Sequence, residues 1–156
     1  MKKIYMALCL VTICCNPDLL AQYSKPPVNE PDYNRPELFS SLPAKVIIPA
    51  GEINSLFTAE RGNKVSLGLT TDTRNRLEGE IISITSKYGD SIRSISIVAS
   101  NFKGARLTIS RLITREGTIT YMGRMISFAH ADVYEMDYSG QQFLFIKKNW
   151  YDLVNE

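Results

Sequence analysis

Cysteine is confined to the first fifteen residues of this 156-residue sequence, at Cys9, Cys14 and Cys15. All three positions fall within a segment that we predict to be removed, residues 1–21. The mature chain would then contain no cysteine. This excludes thiol nucleophiles, zinc–thiolate sites and internal disulfides.

The segment 1–21 has the pattern of a secretory signal peptide. It starts with Met1, Lys2 and Lys3 and continues with an apolar run of about 12 residues, which is too short to span a bilayer as a helix. A cleavage site follows at Ala21. The sequence therefore predicts a periplasmic or extracellular protein with no membrane span after signal removal.

Lipid anchoring is the alternative fate of this segment. Cys14 or Cys15 would then be acylated and retained in the mature protein. Such processing requires a small residue before the cysteine, whereas Ile13 precedes Cys14. The pattern favours cleavage after Ala21.

A large excess of charge of either sign is also missing. The whole chain carries a formal net charge of +2, and removal of Lys2, Lys3 and Asp18 leaves a net charge of +1. A nearly neutral chain gives no electrostatic reason to expect nucleic acid or an anionic membrane as the partner.

Proline and glycine divide the chain into two regions. All seven prolines lie at or before Pro49, and all nine glycines lie at or after Gly51. Because proline favours extended backbone and few apolar residues accompany it, we predict a disordered proline-rich spacer at 22–43. We predict a single β domain at 44–156.

Alternation of apolar and polar residues predicts about seven strands in that domain. The connections between them are too short for parallel crossovers, so the sheet is antiparallel, as a small barrel or a sandwich. The spacing of Ile53, Leu56 and Phe57 predicts one short internal helix. A helical turn is expected near the C-terminus, after Asn149. The adjacent pair Ile81 and Ile82 breaks the alternation and predicts a bulge or burial on both faces.

The only histidine, His130, lies two residues before Asp132. In an extended chain these side chains project to the same side, so the carboxylate could fix the imidazole tautomer. A single histidine does not supply a usual multi-histidine metal site, and no Gly-x-Ser-x-Gly motif nominates a serine nucleophile. We expect no catalytic residue, metal or cofactor; a hydrolase using His130 and Asp132 is an alternative.

Other charged residues give weaker patterns. Glu78 and Glu80 share one face of a predicted strand, as paired catalytic carboxylates would, although a solvent-facing strand has the same pattern. Arg111 and Arg115 differ in parity from Arg106 and Arg124, so these arginines form no single basic surface.

The remaining candidate is a row on one predicted strand, formed by Tyr134, Met136 and Tyr138. Amphipathic side chains in such a row either pack inward or form an exposed recognition strip. We therefore predict a non-enzymatic binding domain whose partner, a protein or another extracytoplasmic molecule, contacts this row together with His130 and Asp132, or contacts an edge strand. The alternative is a small barrel that carries an apolar small molecule.

Overall fold

The computed structural model describes residues 34–69, 75–139 and 142–154. The predicted signal peptide and residues 22–33 of the predicted spacer lie outside the described residues. The structural observations below concern the described residues only.

Eight strands and two short helices make up the described part of the chain. In chain order they are β1 Lys45–Ile48, helix α1 Ala50–Thr58, β2 Lys64–Gly68, β3 Arg76–Lys87, β4 Ile92–Ala99, β5 Arg106–Ile113, β6 Ile119–Ile126, β7 Asp132–Ser139, β8 Gln142–Asn149 and helix α2 Trp150–Val154.

All eight strands belong to one antiparallel sheet in the order β1-β8-β7-β6-β5-β4-β3-β2. Strands β2 to β8 follow one another as a meander, and β1 pairs with the far side of β8. The sheet curls into a half-barrel. These findings confirm the predicted mainly β, antiparallel class, the internal helix and the C-terminal helical turn, with eight strands in place of about seven.

The core lies on the concave side of the sheet, which we call the inner face. Helix α1 packs there and buries Ile53, Leu56 and Phe57, the three positions whose spacing predicted it. Full burial of each such side chain stabilises the fold by about 1.5–3 kcal/mol. Alternate residues of the strands meet the helix, which explains the period of two in the sequence.

Strand β3 departs from a regular strand at two positions, Gly79 and Ile82, and the bulge at the second bends it. A Cβ atom on Gly79 would lie 2.7 Å from Ile97 Cγ2 and would overlap the carbonyl of Val98, so only glycine allows β3 to approach β4 so closely. The pairing register then shifts between Ile81 and Ser83, which leaves Ile82 in a bulge. Bend and bulge together shape the outer face beside β2.

The packed domain begins earlier than residue 44. Phe39 and Leu42 fall within the predicted spacer, yet they are 0% and 4% exposed and belong to the core. Phe39 packs its ring 5.5 Å from those of Phe102 and Tyr134. Residues 38–43, the N-terminal turn, therefore form part of the folded domain.

Candidate functional site

The predicted recognition row on β7 lies on the inner face. Tyr134 and Met136 are 1% and 5% exposed. Tyr138 is half-buried, with its ring 4.8 Å from that of Phe143. In this structure the row packs into the core and presents no continuous exposed strip.

Asp132 contacts the backbone of the N-terminal turn. Its carboxylate accepts hydrogen bonds from the N–H groups of Leu38, at 2.7 Å, and Phe39, at 2.6 Å. Hydrogen bonds to an ionised group are about twice as strong as neutral ones, so Asp132 is a strong anchor for the turn. Burial, together with the nearby negative charge of Asp132, raises the pKa of Tyr134 to about 12.

Lys147 and Tyr134 contact the other end of the same turn. The Lys147 ammonium group donates to the carbonyls of Phe39, at 2.5 Å, and Leu42, at 2.9 Å. The Tyr134 hydroxyl donates to the carbonyl of Pro43. These polar side chains on the inner face therefore bind the chain's own backbone.

His130 lies in the turn between β6 and β7 and pairs with a serine. Its Nδ1 atom is 2.8 Å from the hydroxyl of Ser127, which is only 1% exposed. Both carboxylate oxygens of Asp132 accept from backbone N–H groups. Among the described residues, the imidazole has no hydrogen bond to a carboxylate, and a covered serine is poorly placed to attack a substrate.

The described residues were also compared with what a metal site and a membrane-spanning helix require. Within residues 34–69, 75–139 and 142–154, no three His, Cys, Asp or Glu side chains are grouped so that they could hold a metal ion. The two described helices are also not long and apolar enough to cross a membrane.

An open groove of about 620 Å³ lies on the outer face, beside β2. Strand β2 is the last strand of the sheet as far as the structure describes it. We call this cavity the outer groove. Its lining side chains on the outer face come from three adjacent strands: Lys64, Ser66, Glu78, Glu80, Ile82, Val98 and Ser100.

Pairing register arranges these side chains in rows. Lys64 lies opposite Glu80, and Glu80 lies opposite Val98. Glu78 lies opposite Ser66 in the next row. The outer groove thus combines apolar surface with two carboxylates and one ammonium group, an arrangement suited to a side chain with an apolar stem and a cationic end.

The two glutamates of the outer groove are those whose shared strand face was visible in the sequence. The contributions of Lys64, Ile82 and Val98 were missed. The alternation of Glu80 and Ile82 along β3 was a usable signal, because it puts an apolar residue on an otherwise charged face. The close approach of Gly79 to β4 brings together two of the strands that line this groove.

Comparisons of this chain with protein-family models, with curated protein sequences and with solved structures return no match. The class that the fold defines is a curled antiparallel half-barrel with a helix packed on its inner face.

Proposed function

We propose that this protein is a non-enzymatic binding domain that works in the periplasm or outside the cell. Its partner is a protein, of which an extended segment lies in the outer groove. The N-terminal pattern of a basic start, a short apolar run and a cleavage site supports the compartment. The groove beside edge strand β2 is the observation that carries the binding role.

The composition of the outer groove defines the chemistry of that segment. Ile82 is half-buried and Val98 is 37% exposed, so both offer apolar contact. Glu78 and Glu80 outnumber Lys64 and leave the lining with a net negative charge. A complementary segment carries apolar side chains next to lysine or arginine, because opposite charges favour encounter and register.

The groove, rather than the free edge of β2, is the proposed contact. Strand β2 has only five residues and starts with Lys64, and short, lysine-bearing edge strands resist pairing with other chains. Side-chain contact on the outer face avoids that obstacle.

Nuclear magnetic resonance titration tests this proposal with three capped model peptides. One alternates lysine with isoleucine, one alternates glutamate with isoleucine, and one alternates lysine with serine. We expect only the lysine–isoleucine peptide to shift the backbone amide signals of residues 64–66, 78–82 and 98–100. Equal shifts from the glutamate peptide, or shifts that avoid this surface, would refute the proposal.

A charge-matched pair of variants gives the control. E78Q/E80Q is expected to weaken binding of the lysine–isoleucine peptide roughly five- to tenfold, since each exposed ion pair contributes up to about 1 kcal/mol. E60Q/E116Q removes the same charge from exposed positions outside the groove and is expected to bind as the unmodified protein does. Equal weakening by both double variants would show that net charge alone acts.

A further inference from the structure

Two arginines lie opposite each other on the inner face. Arg93 of β4 and Arg111 of β5 are register partners, and each has the parity of a buried isoleucine, Ile95 or Ile109. Like charges directly opposite on one face of a sheet destabilise it. The fold therefore holds an arrangement that is unfavourable without a compensating anion.

Neither guanidinium group is fully satisfied by the described residues. The Nε atoms of Arg93 and Arg111 are buried and have no hydrogen-bond partner there. Arg93 has Asp90 as its nearest anion, at 4.0 Å, and the Asp90 side chain is 58% exposed and shared with Ser86. A surface ion pair this long contributes little to stability, whereas a buried donor left without a partner destabilises the fold.

The Arg111 guanidinium is held in place by helix α1. Its Cζ atom lies 5.3 Å from the centre of the Phe57 ring, a distance typical of a cation–π contact. Stacking of this kind leaves the edge of the planar guanidinium for hydrogen bonds in its own plane. Within the described part of the chain, no carboxylate pairs with Arg111.

The surroundings of the arginine pair are polar on one side and apolar on the other. Ser86 lies opposite Arg93 in the register, and Tyr121 lies opposite Arg111. The next inner-face pair toward the hairpin is Ile113 with Ile119, and Ile119 is 44% exposed.

We propose that Arg93 and Arg111 bind the anionic head group, a carboxylate or a phosphate monoester, of a small amphipathic molecule. The apolar part of that molecule lies against Tyr121, Ile113 and Ile119. Both anions accept two parallel hydrogen bonds from a guanidinium group, which a chloride ion does not. The site is separate from the outer groove, because it lies on the other face of the sheet.

Isothermal titration calorimetry and thermal unfolding test the proposal with decanoate and decyl phosphate below their micelle concentrations and with decanol below its solubility limit. We expect decanoate, decyl phosphate or both to bind and to raise the unfolding temperature, and the stronger of the two identifies the head group. Decanol is expected to bind at least roughly tenfold more weakly, because it lacks the charge. Equal binding of decanol would overturn the anionic site in favour of a purely apolar one.

Arginine variants test whether the anion binds at Arg93 and Arg111. R93Q and R111M each remove one positive charge, and methionine at 111 keeps an apolar stem over Phe57. Each is expected to weaken binding of the preferred anion roughly tenfold, whereas R106Q, on the outer face of the same strand β5, retains it. Thermal unfolding without ligand verifies that each variant folds. Unchanged affinity in both R93Q and R111M, or no binding of either anion by the unmodified protein, would refute the proposal.

Discussion

Lys147 and Arg111 illustrate two ways in which a cation is placed on the inner face. The Lys147 ammonium group donates to two backbone carbonyls of the N-terminal turn, at 2.5 and 2.9 Å. Arg111 stacks on Phe57 and has a buried Nε atom without a partner among the described residues. The first cation therefore stabilises the chain's own fold, and the second is the better candidate for an external ligand.

Tyr134 gives a pH-dependent contribution to stability. Its pKa is raised to about 12 in the folded protein, first by burial and then by Asp132, while the ordinary value is 10.0. Below pH 10 the phenol is protonated in both states. Above pH 10 the unfolded chain ionises first, so stability is lost as the pH rises from about 10 to about 12, by up to about 1.4 kcal/mol per pH unit.

Chemical denaturation at several pH values checks this expectation. At pH 8, Y134F should be less stable than the unmodified protein because it lacks the hydrogen bond to Pro43. The difference in unfolding free energy between Y134F and the unmodified protein should narrow above pH 10. As the control, Y88F alters a tyrosine that is 79% exposed and should leave the pH dependence of the unfolding free energy unchanged. A difference between Y134F and the unmodified protein that stays constant with pH would contradict the role of Tyr134.

The parity of a residue within a strand predicts whether its side chain lies on the inner face. Arg111 shares parity with Leu107 and Ile109, which are both buried. Parity was used only to conclude that the four arginines form no single basic surface. Parity alone places Arg111 on the core side, but its stacking on Phe57 depends on where helix α1 packs.

Among the elements, strand β3 can pack closely against β4 only because residue 79 is glycine. G79A would bring a methyl group to 2.7 Å from Ile97 Cγ2 and into overlap with the backbone carbonyl of Val98. We expect a loss of stability of about 3 kcal/mol. Because both strands line the outer groove, weaker binding of the lysine–isoleucine peptide should accompany it.

G51A provides the matched glycine-to-alanine control. Gly51 lies in the first turn of α1, and a Cβ atom there meets nothing within 4 Å. Alanine is a better helix former, so stability should rise by roughly 0.5–1 kcal/mol. Thermal unfolding of the two variants measures both effects, and a destabilised G51A or an unaffected G79A would contradict this account.

Elements were predictable where one periodicity covers a whole segment. Alternation identified β7, and the spacing of Ile53, Leu56 and Phe57 identified α1. Pairing of β1 with β8, and curling into a half-barrel, could not be predicted because they depend on contacts across the length of the domain. The outer groove depends on side chains that three paired strands bring together, so its cavity could not be predicted either.

For the whole molecule, the fate of the N-terminal segment is the most direct prediction. We expect the secreted protein to begin at Gln22, because cleavage follows Ala21. Mass spectrometry of the protein recovered from a secreting host measures this. A mature chain that begins at Cys14 or Cys15 with added acyl mass would establish the lipoprotein alternative, and C14S/C15S would then release the protein from the membrane fraction.

The extent of the folded domain was underestimated because the N-terminal turn has its partners far away in the sequence. Phe39 stands in a proline-rich segment that lacks a local apolar pattern. Its backbone is bound by Asp132, 93 residues later, and by Lys147, 108 residues later. Only the tertiary structure brings these groups together.

These distant contacts also determine the order of folding. Residues 38–43 leave the ribosome early, whereas Lys147 leaves near the end of synthesis, and β1 can pair with β8 only after β8 has been made. Contacts of such long sequence separation make folding slow, because loop closure must precede them. The nascent chain therefore stays without its complete core until synthesis is nearly finished, which is the unfolded state that the export we propose would require.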